Sequence, residues 1–142
     1  MSALELEIKD DRARVMEPGV IPALSLIGAA KAIDFYKQAF DATELARMPA
    51  EDGERLMHAH IHINGGSVML SDTFPEMGMQ HQPSSSFVMQ LLVPDAQVWW
   101  DRAVAAGCEV VMPLEKQFWG DIWGQLKDPF GVHWAFNQPD QG

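Results

Sequence analysis

Three histidines, His58, His60 and His62, recur at every second position in the run Leu56, Met57, His58, Ala59, His60, Ile61, His62, Ile63. In an extended chain this spacing puts the three imidazoles on one face and Met57, Ala59, Ile61 and Ile63 on the other. Alternate residues on a strand stand about 7 Å apart, wide for two ligands of one ion but reachable with twist, so a metal site at His58, His60 and His62 is one reading. The other is that only His58 meets a ligand while His60 and His62 sit at the wet edge of a sheet.

A second concentration of chemistry lies in residues 117–134, Gln-Phe-Trp-Gly-Asp-Ile-Trp-Gly-Gln-Leu-Lys-Asp-Pro-Phe-Gly-Val-His-Trp. Trp119, Trp123 and Trp134, with Asp121 and His133, suggest one wall of a ligand pocket, each indole supplying a flat apolar surface and one N–H donor. Ordinary sheet core is the competing account. Asp121 could orient a polar substrate or act as a base, or could accept backbone N–H groups within a hairpin. Gln90, set among Phe87, Val88, Met89, Leu91, Leu92 and Val93, is predicted to be a lone amide in a buried strand, needing partners that a ligand would supply. Ser71 and Asp72 are neighbours on a predicted strand and face opposite ways, which excludes a dyad. The single Cys108 reads as small core filler.

The elements that must position these groups follow from periodicity. Residues 21–27 form an apolar run ended by Gly28 and predict a buried strand. Ala29, Ile33, Tyr36 and Phe40 then recur at helical spacing, predicting a helix over 29–40. Strands are predicted over 43–48, 56–63 and 67–72, the last two joined by a tight Asn64-Gly65-Gly66 hairpin. Residues 74–86, rich in Pro, Gly, Ser, Gln and Met, read as a linker or lid loop. The pattern then restarts with a strand over 87–93 and a helix capped by Asp95 and stopped by Gly107. Strands follow over 108–112 and 132–137, with strand, turn and strand within 117–134, closed by Asp128-Pro129-Phe130-Gly131. Ala42-Thr43-Glu44-Leu45 lies over Gly107-Cys108-Glu109-Val110, and Met48-Pro49 recurs as Met112-Pro113. The expected organisation is a charged N-terminal leader (1–17), a first βαβββ module (18–74), the linker (75–86) and a second βαβββ module (87–138), an α+β fold.

Composition narrows the function. A chain of 142 residues with 47% apolar and 21% charged side chains has material for one real core. It has no apolar run of about 20 residues, so no membrane span is expected. Residues 1–17 alternate charges and lack the apolar core of a secretion signal, so the cytoplasm is the expected location. Twenty acidic against ten basic side chains give a net charge of −10, which disfavours nucleic acid and favours cationic small molecules.

Two βαβββ modules in an acidic chain resemble the vicinal-oxygen-chelate superfamily of glyoxalases, bleomycin-resistance proteins and extradiol dioxygenases, and within it the PhnB-like branch. The likeness is carried by Ala32-Ile33-Asp34-Phe35-Tyr36-Lys37-Gln38-Ala39-Phe40, Met57-His58-Ala59, Met69-Leu70-Ser71-Asp72, Val111-Met112-Pro113-Leu114, Gln117-Phe118-Trp119-Gly120-Asp121 and Asp128-Pro129-Phe130-Gly131. The resemblance implies two curved sheets forming a cup with helices on their convex backs, and a homodimer. Metalloenzymes of the superfamily hold a divalent ion through His or Glu on the first and last strands of each module. The matching windows here lie near 21–23, 69–71, 87–89 and at Ala135, and contain no His, Glu or Asp. The usual metal centre is therefore expected to be missing, which argues against glyoxalase-type isomerisation and ring-cleaving oxygenation. The methyltransferase activity attributed to some branch members finds no support, because no glycine-rich loop joins a strand to a helix. The expected function is binding of a small organic molecule, cationic or aromatic, by His58, Gln90, Trp119, Asp121 and Trp123, without a cofactor. The alternatives are a lyase or dioxygenase using a divalent metal at the histidine strand, and an aromatic cluster that serves only as a dimer interface.

Overall fold

One chain path occurs twice: a strand, a helix, then three strands, the last of which returns beside the first and parallel to it. In the computed structural model, which describes residues 5–16 and 18–141, a short strand β1 (Glu7–Ile8) and a 3-10 turn (Asp11–Arg14) precede the first copy. That copy is β2 (Ala23–Leu26), α1 (Ala29–Phe40), β3 (Thr43–Pro49), β4 (Leu56–Ile63) and β5 (Gly66–Asp72). The second is β6 (Met89–Leu92), α2 (Ala96–Ala106), β7 (Glu109–Lys116), β8 (Ile122–Lys127) and β9 (His133–Gln138). The chain divides into two compact units, Met1–Lys37 with Asp41–His81, and Gln38–Phe40 with Gln82–Gly142.

The first unit holds a five-stranded sheet of order β1-β3-β4-β5-β2. Part of the expected leader thus becomes an edge strand, with Glu7 and Ile8 antiparallel to Arg47 and Ala46. The N–H groups of Lys9 and Asp10 both donate to Leu45 O, at 2.7 and 3.2 Å. Residues 1–4 and 17 of that leader lie outside the described residues. On α1 the predicted apolar stripe is realised, since Ala29, Ile33, Tyr36 and Phe40 are all fully buried, each larger side chain contributing about 1.5–3 kcal/mol. The helix opens on Gly28, whose φ of 88° is left-handed and which offers no side-chain cap. Asp72, buried at the end of β5, takes that part. Its Oδ1 accepts from Gly28 N (2.8 Å) and Ala29 N (3.0 Å), and its Oδ2 from Leu56 N (2.7 Å). One carboxylate therefore ties the start of α1 to the start of β4 and satisfies helix donors that would otherwise be orphaned. The Asn64-Gly65 turn has φ of 51° and 79°, the left-handed pair that matches strand twist in a two-residue hairpin.

The second unit holds a four-stranded sheet of order β6-β9-β8-β7. Asp95 accepts from Val98 N as N-cap, and Ala96 N donates to Gln138 Oε1 at 3.0 Å. Gln138, ending β9, thus stands to α2 as Asp72 stands to α1. Even-numbered residues of β8 and β9 face α2: a Cβ on Gly124 would meet Trp100 Cζ3 at 2.7 Å, and Phe136 packs 6.0 and 6.4 Å from the rings of Trp99 and Trp100. Phe40 joins this layer, 4.4 Å from Trp134 and 6.0 Å from Phe136. Asp128 sets the turn before β9, accepting from Phe130 N (2.8 Å) and Val132 N (3.0 Å) on Oδ1 and from Trp134 Nε1 (2.9 Å) on Oδ2. β7 runs on to Lys116 rather than stopping near Met112, because Pro113 sits on an outer strand within the register shift between Met112 and Glu115, where its missing N–H breaks no required ladder bond.

Candidate functional site

On the face of the second sheet turned away from α2, alternation places Trp123, Gln125 and Lys127 of β8 beside His133, Ala135 and Asn137 of β9, with Gln90 and Leu92 of β6 beyond. Gln90 stands opposite Ala135 on one side of β9, and Gln125 opposite it on the other. Trp123 Nε1 donates to Gln90 Oε1 at 3.2 Å, a bridge from β8 to β6 that crosses β9 at the level of Ala135 and Asn137. Ala135 beneath it is fully buried. A larger side chain there would take the space the bridge occupies.

Gln90 corrects the sequence expectation. β6 is buried on alternate residues only, and Gln90 lies on its exposed side. Leu92, exposed on the same side, shows why the run of apolar residues misled: an edge strand tolerates apolar side chains on its outer face. The partner that Gln90 needs is the Trp123 indole. The three tryptophans do not form one wall either, since Trp134 turns to the opposite face against Phe40.

Asp121 is engaged by its own hairpin surroundings. Oδ2 accepts from Asn137 Nδ2 (2.9 Å) and Oδ1 from Asp140 N (2.8 Å). The Asn137 amide, then the Asp140 N–H, and more weakly the Trp119 side chain, hold this carboxyl below the usual carboxylate range. Gln117 N and Asp121 O close the turn at 2.8 Å. At its tip Phe118 is 97% exposed and Trp119 48%, edge to face at 4.9 Å.

His58 belongs to the first unit. It is half-buried opposite Met48 on the same strand face as His60 and His62. His60 is not at a wet edge: β4 lies inside the sheet, and His60 is only 5% exposed. Nε2 of His60 and Nε2 of His62 both lie against Ser67 Oγ, at 2.8 and 3.1 Å, and the Asp10 carboxylate is within electrostatic range of His62. Among the described residues no group of three His, Cys, Asp or Glu is gathered so as to hold a metal ion. Cys108 is buried, and burial pushes its thiol up to about 12, so it is no nucleophile at neutral pH.

His133, expected in the pocket wall, does lie on this face, whereas Gln125 and Asn137 were not singled out from sequence. Gln125 Nε2 lies 3.0 Å from His133 Nδ1. The signal that would have found them is the period of two: counted from Trp123 and from Ala135, each falls on the same face.

Two four-strand βαβββ sheets, one with an added edge strand, define the architecture of the glyoxalase-like proteins. The chain belongs to the Glyoxalase/Bleomycin resistance protein/Dioxygenase superfamily, whose family model matches residues 27–136. An uncharacterised protein of Mycobacterium tuberculosis is 46% identical over 136 residues, covering 92% of this chain and 79% of that one. The crystal structure of protein PA1353 from Pseudomonas aeruginosa matches with a TM-score of 0.73 at 26% identity, covering 88% of this chain and all of that one. A PhnB protein from Bacillus cereus, titled a putative 3-demethylubiquinone-9 3-methyltransferase, shares the fold with a TM-score of 0.65 at 20% identity, over 86% of this chain and 100% of that one. No described helix is long and apolar enough to cross a membrane.

Proposed function

We propose that the protein binds a small aromatic molecule on the face of the second sheet turned away from α2, and does so without a metal held by the superfamily's usual positions. The observation that carries this reading is the Trp123–Gln90 bridge above Ala135. It fixes an indole beside a row of amides and fills the space above the strand position where superfamily metalloenzymes carry an acid. The other paired positions point the same way, since Ala23 of β2 lies beside Met69 of β5, and neither methyl nor thioether is a ligand for a hard or borderline divalent ion. Trp119 and Asp121 border the face through Asn137. The alternative, a metal site at His58, His60 and His62, is less well supported because two of its three imidazoles are turned to Ser67.

The test is a fragment screen read by the indole N–H resonance of Trp123, assigned with Trp123→Phe. Ligands that shift it in the wild type and lose at least tenfold affinity in Trp123→Ala support the reading. A stoichiometric transition metal in untagged protein, lost in His58→Ala with His60→Ala, would overturn the metal-free part.

A further inference from the structure

Three polar atoms on the same face have no hydrogen-bond partner among the described residues: Nε2 of His133, Oε1 of Gln125 and Nε2 of Gln90. Each is the remainder of a pair that fixes the rest of its side chain. Gln125 presents its amide nitrogen to His133 Nδ1 at 3.0 Å. An amide nitrogen donates and cannot accept, so Nδ1 is the acceptor and the ring proton sits on Nε2. The outward nitrogen of His133 is thus a donor, and the outward atom of Gln125 an acceptor. Gln90 is the converse: its Oε1 is taken by the Trp123 indole, which leaves its NH2 to donate. Around the methyl of Ala135, the sheet presents donor, acceptor and donor beside an indole.

We infer that this constellation reads an aromatic amide, and that His133 is the donor that orients it. The inference rests on the binding reading above. A carboxamide conjugated with a ring carries an acceptor and a donor in one plane. Its C=O answers His133 Nε2–H, its N–H answers Gln125 Oε1, and its ring lies along Trp123. Both carboxylate oxygens of Asp121 are already engaged, by Asn137 and Asp140, so a cation would have to share them. Lys127 stands opposite His133 across the strands, so a ring carboxylate is the competitor, though the net charge of −10 disfavours it.

The experiment titrates the full chain with benzamide, benzoate and benzyltrimethylammonium, reading the Trp123 indole N–H, and records the histidine ring nitrogens by 15N NMR. Benzamide is expected to bind at least fivefold more tightly than the other two. His133→Phe is expected to weaken benzamide about five- to tenfold, the size of one net hydrogen bond, with Nε2 of His133 protonated in the free protein. If His133→Phe does not fold, Gln125→Leu, which removes the acceptor for the amide N–H and frees the ring to take either tautomer, is expected to give a loss of at least the same size. The opposite tautomer, or benzamide binding unchanged in His133→Phe but lost in Trp123→Ala, overturns the role of His133 and leaves the binding reading standing. Tighter benzoate or benzyltrimethylammonium overturns the amide. No shift of Trp123 with any probe overturns both.

Discussion

Gly124→Ala probes whether the face bearing Trp123 and Gln125 is held by close approach behind it. Gly124 has no left-handed φ, so alanine is not barred by backbone conformation. It is barred by neighbours: a Cβ would stand 2.7 Å from Trp100 Cζ3, 2.8 Å from Leu114 Cα and 2.9 Å from Leu114 N. The Trp100 ring edge can turn slightly, but two of the three contacts are backbone of β7, which moves only if the strand pair opens. Two effects oppose each other. Replacing glycine restricts the unfolded chain and stabilises by about 0.4–1 kcal/mol. Overpacking a well-filled site costs about 1–3 kcal/mol, and backbone contacts place this case in the upper half of that range. The expected net destabilisation is about 1–2 kcal/mol, a five- to thirtyfold shift in the folding equilibrium. Urea unfolding followed by tryptophan fluorescence measures it, with Gly66→Ala as control. Gly66 also lacks a left-handed φ, and its nearest contact would be Ile63 O at an ordinary 3.6 Å, so Gly66→Ala should stay within about 0.5 kcal/mol of wild type. A Gly124→Ala protein as stable as this control would refute the packing argument, and with it the premise that close approach behind Gly124 holds the face bearing Trp123 and Gln125.

Two further outcomes follow from the carboxylates. Asp72→Ala leaves Gly28 N, Ala29 N and Leu56 N without their acceptor in a site only 4% exposed; at about 1–3 kcal/mol for each buried unpaired group, partly offset by water entry, the loss should reach about 3 kcal/mol in denaturant unfolding, and a loss under about 1 kcal/mol would show that the cap is dispensable. Asp121 has its carboxyl lowered by Asn137 and the Asp140 N–H, so its contribution is complete above the ordinary carboxylate range and is lost as pH falls through the lowered value; Trp119 fluorescence should therefore change at acid pH below that of a free aspartate, and an unchanged transition in Asp121→Asn would assign it to another group.

The order of elements was legible because each strand and helix kept its own period. Ala29–Phe40 and Leu56–Ile63 are the ranges that 3.6-residue and two-residue spacing predict. Strand ends were less legible where local sequence does not decide them. Pro113 looks like a stop, yet β7 passes through it because nothing on the outer edge asks for its N–H. The same limit governs the site. Trp123 drew attention by residue type and Gln90 by contrast with its neighbours, but the bond between them joins strands separated by a helix and a strand in sequence, and no local pattern encodes it. His133 stood out by residue type and Gln125 did not, and the two become a pair only through the register of β8 on β9.

The two modules also differ at their outer edges, and the difference accounts for the exposed apolar residues of β7. In the first sheet the outermost strand of the repeat, β3, is covered by β1. Among the described residues its counterpart β7 has no strand beyond it, and Val110, Val111 and Met112 are 46%, 42% and 50% exposed. An uncovered edge of that apolarity would invite pairing with another chain. β7 carries the features that discourage it: Pro113, two register shifts, and the charges of Glu109, Glu115 and Lys116. The shifts lie in the ladder to β8 and make β7 irregular along the length that an incoming strand would have to follow, so the edge is blocked by its own irregularity. One copy of the repeat therefore solves the edge problem by addition and the other by interruption. The interrupted strand is also the one whose backbone at Leu114 backs Gly124, so the bulged segment that protects the edge also sets the spacing behind Trp123 and Gln125.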